Sequence, residues 1–244
     1  MCNRKQVFEE ACQLFIQKQG EEKDTIGIII CGSLMHGRID KNSDVDVYII
    51  LNSNCTYRER GNVWINNVEI EYFKNPPQQV RKYFAEEKAS PNTAHMLASG
   101  RLVFSKSNIA RALMEEAKEI IAILPREISR AEIELAKYIV DDYFKDMEDA
   151  IENGDSIGIG LIHFKIVNYA VDLFCKVKRI RRFKDKGLGD QLRSVDPEFA
   201  AVIEKSILEN WEKIVHLTPL RNYIDDLLGG RRSREWILRS NLTI

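Results

Sequence analysis

A chain of 244 residues, 44% hydrophobic and 30% charged, has enough apolar material for one large core or two smaller ones and reads as an ordinary globular protein. Its formal charge of -1 argues against a protein built chiefly to grip nucleic acid, although a local basic patch can sit inside a neutral total. Five cysteines (Cys2, Cys12, Cys31, Cys55 and Cys175) form no C-x-x-C pair, and no histidine stands at zinc-ligand spacing, which predicts reduced thiols with Cys31 and Cys175 in the core.

The opening MCNRKQVFEEACQLF mixes charge into its apolar positions and lacks a secretory core, so a cytoplasmic location is expected. Val7, Ala11, Leu14 and Phe15 recur at helical spacing and predict an amphipathic helix over residues 5–18. GEEKDT ends it, residues 26–31 read as a short, fully buried strand, and Val45–Leu51 reads as a second. Turn signals at Arg60-Gly61-Asn62 and Asn66-Asn67 predict hairpins or a meander, and Asn75-Pro76-Pro77 stops the sheet. Helices over about 78–87 and 93–98, an edge strand at 101–104 and a helix over 109–123 complete this half.

Pro125 marks a change of style, with helical periodicity nearly everywhere after it. Ile133, Ala136, Val140, Tyr143, Phe144 and Met147 place one buried face on a helix over 133–151. Asn153-Gly154 ends it and Asp155-Ser156 caps the next, whose IGIGLIHFKIVNYAVDLF (157–174) is interrupted by His163, Lys165 and Asp172 and so predicts a buried helix, not a membrane span. Asp196-Pro197 and Thr218-Pro219 each place a capping residue before a proline at the first helical position, and Gly229-Gly230 closes the last long helix. The expected class is α+β: strands and helices mixed over 1–124, then an all-helical unit over 125–244.

The run IGIIICGSLMHGRIDKNSDVDVYIIL (26–51) carries the chemistry. Gly32-Ser33 breaks one apolar stretch, and the next opens with Asp44-Val45-Asp46 although aspartate is disfavoured on strands. Alternation puts Asp44 and Asp46 on one face, roughly 7 Å apart along the chain. Two such carboxylates repel unless positive charge lies between them. Mg²⁺ suits hard oxygen ligands, and when so held it commonly takes substrate phosphates as further ligands. Gly32, with no side chain at a strand end, would let backbone N–H groups approach an anion, and a helix beginning at Leu34 would add its N-terminus. A third carboxylate, Glu71 by preference or Glu69, would complete a two-metal site and could accept a proton from an attacking hydroxyl.

Gly32-Ser33, ten intervening residues, then Asp44-Val45-Asp46 between hydrophobic flanks resembles the signature of the DNA polymerase β-like nucleotidyltransferase superfamily. The motif likeness covers about residues 26–73. The two-part layout is similar to that of small bacterial antibiotic-adenylylating enzymes. The resemblance implies a nucleotidyltransferase domain with a small mixed sheet flanked by helices, followed by a helical bundle that closes over nucleotide and acceptor. It further implies two Mg²⁺ ions and transfer of a nucleoside monophosphate from ATP or another NTP, with loss of pyrophosphate. Ser33 would contact the outer phosphates, Asp44 and Asp46 would ligate the metals, and Glu71 or Glu69 would be the third acid. A lysine of the helical part, Lys184 or Lys186, would reach the phosphates.

The segment KVKRIRRFKDK (176–186) reads either as a solvated helix C-terminus or as a basic lip for a triphosphate. Arg231, Arg232 and Arg234 read as surface, and His36 as a loop residue near the phosphate position. His95, His163 and His216 read as structural or surface residues, and Tyr143, Phe144, Phe164, Tyr169 and Phe174 as core. The expected acceptor is a hydroxyl on a small molecule, antibiotics among the candidates. The alternatives are a protein or RNA acceptor, or a nucleotide-binding module without catalysis. No membrane partner is expected, nucleic acid is disfavoured, and a homodimer would suit an acceptor site formed between subunits.

Overall fold

Short apolar strand runs mixed with amphipathic helices in the first half of the chain, and helical periodicity alone in the second, build two different units. The computed structural model describes residues 4–36, 42–87, 90–208 and 213–239, so Cys2 lies outside the described residues. The chain divides into Met1–Ile123 and Leu124–Ile244.

The first unit runs α1 (Arg4–Glu21), β1 (Thr25–Cys31), a 3-10 turn (Gly32–His36), β2 (Val45–Leu51), β3 (Glu59–Ile65), β4 (Val68–Asn75), α2 (Pro77–Glu86), α3 (Asn92–Ser99), β5 (Arg101–Ser105) and α4 (Ile109–Ala122). The five strands form one mixed sheet in the order β3-β4-β2-β1-β5. β2 and β4 run parallel, and the other neighbours are antiparallel. Central β1 and β2 are covered on both faces, which is why they read as near-continuous apolar runs. Ile28, Ile30, Val47 and Ile49 pack towards Phe8 and Phe15 of α1. On the other face Ile29, Tyr48 and Ile50 meet Val80, Leu97 and Leu113 of α2, α3 and α4.

Two local expectations need correcting here. The buried stripe of α1 is Phe8, Ala11, Cys12, Phe15 and Gln19, whereas Leu14 is 51% exposed, because it lies about 100° around the helix from Phe15. Arg60-Gly61-Asn62 is not a turn but part of edge strand β3. Gly61 serves packing there: a Cβ at this position would come within 2.6 Å of the Tyr72 hydroxyl on β4. The chain reverses only at Asn66-Asn67, whose φ values of 51° and 60° suit a tight two-residue hairpin. β4 ends where Pro76 and Pro77 remove backbone donors, and Pro77 opens α2.

The second unit contains α5 (Arg130–Glu152), α6 (Ser156–Val177), α7 (Asp185–Val195), α8 (Pro197–Leu208), a 3-10 turn (Ile214–Leu217) and α9 (Thr218–Leu227), with no strand among its described residues. The fold class is therefore α+β, as the sequence predicted. Its core centres on Val140, Met147, Phe174, Phe199 and Ile224, with the Phe174 and Phe199 rings stacked at 4.1 Å. Asp155 and Asp196 cap α6 and α8 by accepting from Gly158 N and Phe199 N, each N–H lying three residues on. Thr218 makes no such cap, because the preceding 3-10 turn runs straight into α9 and Thr218 N bonds to Val215 O.

Phe164 is 68% exposed, contrary to its assignment to the core. It lies about 100° around α6 from the buried His163, at the border of the buried stripe. His163 is held by its Nε2, 2.8 Å from Ser206 O. Among the described residues α6 is the one helix long and apolar enough to cross a membrane, and 44% of its most apolar window is buried within the protein. Arg232 is also more than surface: its Nε donates to Asp141 Oδ2 at 2.9 Å, and its side chain is only 20% exposed.

Candidate functional site

Strand register assembles the acidic residues. Antiparallel pairing sets Cys31, the last residue of β1, opposite Asp46, and parallel pairing sets Asp46 beside Glu71 of β4. Alternation then turns Asp46 to the same sheet face as Tyr48 and Ile50, and Glu71 to that of Phe73. Asp44 precedes β2 by one residue. The carboxylates of Asp44, Asp46 and Glu71, each partly buried, offer oxygens that all lie within 4.8 Å of one another.

Gly32 follows β1 at φ 74°, in the left-handed region that favours glycine. The space left by its missing side chain is filled by Asp46, whose Oδ2 would overlap a Cβ built there. The backbone from Gly32 to His36 is a 3-10 turn, not a helix starting at Leu34. The side chains of Ser33 and His36 lie outside the described residues. Cys31 forms an inert wall beside the acids: burial, and then the charge of Asp46, push its thiol up to about 12.

On the open side, Arg60 of β3 donates to Glu71 Oε1 from Nε at 3.0 Å and from Nη2 at 2.6 Å. Its guanidinium sits 4.9 Å from the Phe73 ring centre. Asn62, level with Glu71 in the ladder, donates instead to Glu69 Oε1 at 2.5 Å. Glu69 thus lies two residues along the same face of β4 from Glu71, outside the Asp44–Asp46–Glu71 group but in its cleft. That cleft holds about 500 Å³ and is lined by Asp44, Arg60, Gly61, Asn62, Glu69 and Glu71.

The donor set fits a hard divalent cation. Three carboxylates supply oxygen only, they are partly shielded from water, and their spacing is close to that of ligands on a small ion. Gly32 strengthens the fit, since its left-handed backbone makes room for one of those carboxylates. Arg60 and Asn62 are residues the sequence did not single out for chemistry, because both fell inside a stretch that reads as a turn. Lys184 and Lys186 belong to the second unit, where Lys184 is the N-cap residue of α7 and Lys186 lies in its first turn, both exposed. Around them Arg182 donates to Asp172 at 2.8 Å and to Asn168 and Asp185 at 2.9 Å, while Arg179 donates to Pro125 O at 3.0 Å.

No protein-family model matches the chain, and no curated protein does. Among solved structures, the chain is similar to the crystal structure of a nucleotidyltransferase-like protein from Exiguobacterium sibiricum 255-15. The TM-score is 0.46 at 15% identity, covering 91% of this chain and 74% of that one. At that level the likeness assigns no activity, and the function rests on the residues themselves.

Proposed function

We propose that the chain is a nucleotidyltransferase that moves a nucleoside monophosphate, AMP foremost, from an NTP to a hydroxyl of a small-molecule acceptor. The observation that carries this reading is the convergence of Asp44, Asp46 and Glu71 within 4.8 Å where β2 and β4 run side by side. Asp44 and Asp46 would hold two Mg²⁺ ions, with Glu71 completing the set. Ions held there would supply positive charge to offset the charge that develops on the transferring phosphate.

The acceptor oxygen attacks the α-phosphorus and its proton passes to the Glu71 carboxylate. The bond from that phosphorus to the bridging oxygen breaks, and pyrophosphate leaves with the electron pair. From the motif resemblance, Gly32 and Ser33 would approach the phosphates, and from the two-part layout alone Lys184 or Lys186 would add positive charge to them.

The engagement of Arg179 and Arg182 by partners inside the second unit weakens the basic segment as support for an RNA acceptor, so a small acceptor, antibiotics included, is preferred. Buried free thiols at Cys12, Cys31, Cys55 and Cys175 suit a cytoplasmic protein.

Calorimetry of ATP binding with and without Mg²⁺, on wild type and on Asp44→Asn/Asp46→Asn, tests the proposal without an acceptor. Binding that needs Mg²⁺ in wild type and loses that dependence in the double variant is the expected result. Absence of Mg²⁺-dependent binding in folded wild type would overturn it.

A further inference from the structure

Three carboxylates within 4.8 Å repel one another and need positive charge nearby. Among the described residues lining the cleft, Arg60 is the only basic one. It is held in place by the Phe73 ring beneath it and by the two hydrogen bonds to Glu71. Both bonds converge on one oxygen, Oε1, instead of spreading over the carboxylate as a two-oxygen fork does. The pair is also open to solvent, with Arg60 70% and Glu71 28% exposed, so it can break without stranding a buried charge.

We infer that Arg60 is a resident counter-ion of the acidic cluster through Glu71, and that its guanidinium and a divalent cation compete for that carboxylate. This rests on the reading of the cluster as a cation site. A cation at the cluster and a guanidinium a few ångströms away repel each other, so each weakens the other's hold by the same factor. While Arg60 holds Glu71, the guanidinium occupies Oε1; when the cation displaces the guanidinium, that carboxylate passes from the arginine to the metal. Arg60 is thus a positioning residue that holds Glu71 in place until a cation takes it over.

The experiment is Mn²⁺ titration of the full chain without nucleotide, followed by the electron spin resonance of free Mn²⁺, on wild type, Arg60→Met and Arg60→Lys. Arg60→Met is expected to bind Mn²⁺ about tenfold more tightly, the order produced by removing one nearby unit charge at a solvent-exposed site. Arg60→Lys, which keeps the charge, stays close to wild type. A purely structural role for Arg60 predicts the opposite direction, since a loosened Glu71 binds metal less well.

Unchanged or weaker binding by Arg60→Met overturns the inference, and so does equal tightening in Arg60→Lys, because charge would then not be the cause. Loss of binding in Asp44→Asn/Asp46→Asn places the ion at this cluster; its persistence there overturns the inference as well. If neither folded wild type nor folded Arg60→Met binds Mn²⁺, the cation reading of the cluster falls first and the role of Arg60 with it.

Discussion

At the scale of single residues, Gly32 has the narrowest tolerance among the described glycines. Its φ of 74° disfavours any side chain, and its Cα face is occupied by the Asp46 carboxylate. Gly154 supplies the control, with φ 65° and nothing within 4 Å of a Cβ built on it. Both alanine substitutions should cost about 1 kcal/mol of backbone strain in urea unfolding. Only Gly32→Ala must also push Asp46 aside, so it alone should weaken Mg²⁺-dependent ATP binding, by tenfold or more. Equal ATP binding by the two variants would remove the steric argument. The aspartate pair stands out in the sequence because carboxylates on a strand run against propensity. Arg60 does not, because its neighbours Gly61 and Asn62 imitate a turn. Centring the hairpin on Asn66-Asn67 would have revealed it, since that register sets Asn62 opposite Glu71 and Arg60 opposite Phe73.

Elements were the most legible level. Apolar runs bounded by turn residues gave β2 its full extent, Val45–Leu51, and capping residues gave the starts of α6 and α8. The start of α5 is a capping box: Glu132 N donates to Ser129 Oγ at 3.3 Å and Ser129 N donates to Glu132 Oε2 at 3.0 Å. Arg126 and then Ser129 lower the Glu132 carboxyl to about 2. Ser129→Ala should destabilise the chain by about 1 kcal/mol at neutral pH. The folded-state value lies below the unfolded one, so the part of this stabilisation that runs through the Glu132 carboxylate is complete above about pH 5 and fades as pH falls towards 2. Urea unfolding of wild type and Ser129→Ala at neutral and acid pH checks both statements; a gap between them that does not narrow in acid would contradict the second. Thr218 misled because its local signal is the same as that of Asp196, but the preceding 3-10 turn had already satisfied its backbone.

At the scale of the whole molecule, the second unit is closed by charges far apart in the chain. Arg221, with its side chain 10% exposed, donates to Asp141 on α5 and to Asp225 one helical turn away. Arg231 and Arg232 then bring the segment after α9 onto the same two aspartates, at 2.7 and 2.9 Å. The Arg221 guanidinium also lies 5.1 Å from the Phe144 ring centre. Arg221→Met leaves two partly buried carboxylates short of a partner and should cost about 3 kcal/mol in urea unfolding. Arg232→Met, with the more exposed side chain, should cost less, and the reverse order would show that Arg221 is not the centre of the network.

By itself the sequence determined the α+β class, most helix and strand positions, and which residue types could hold a cation, because periodicity, caps and turns act over a few neighbours. Between Glu69 and Glu71, strand neighbours of one face, it gave only a preference for Glu71. Tertiary structure decided what depends on pairing between distant segments: the register that sets Glu71 beside Asp46, the guanidinium lying over Phe73, and the burial of Arg221. A one-residue slip in register turns a side chain to the opposite face of a sheet, and no local pattern records which register the completed core prefers.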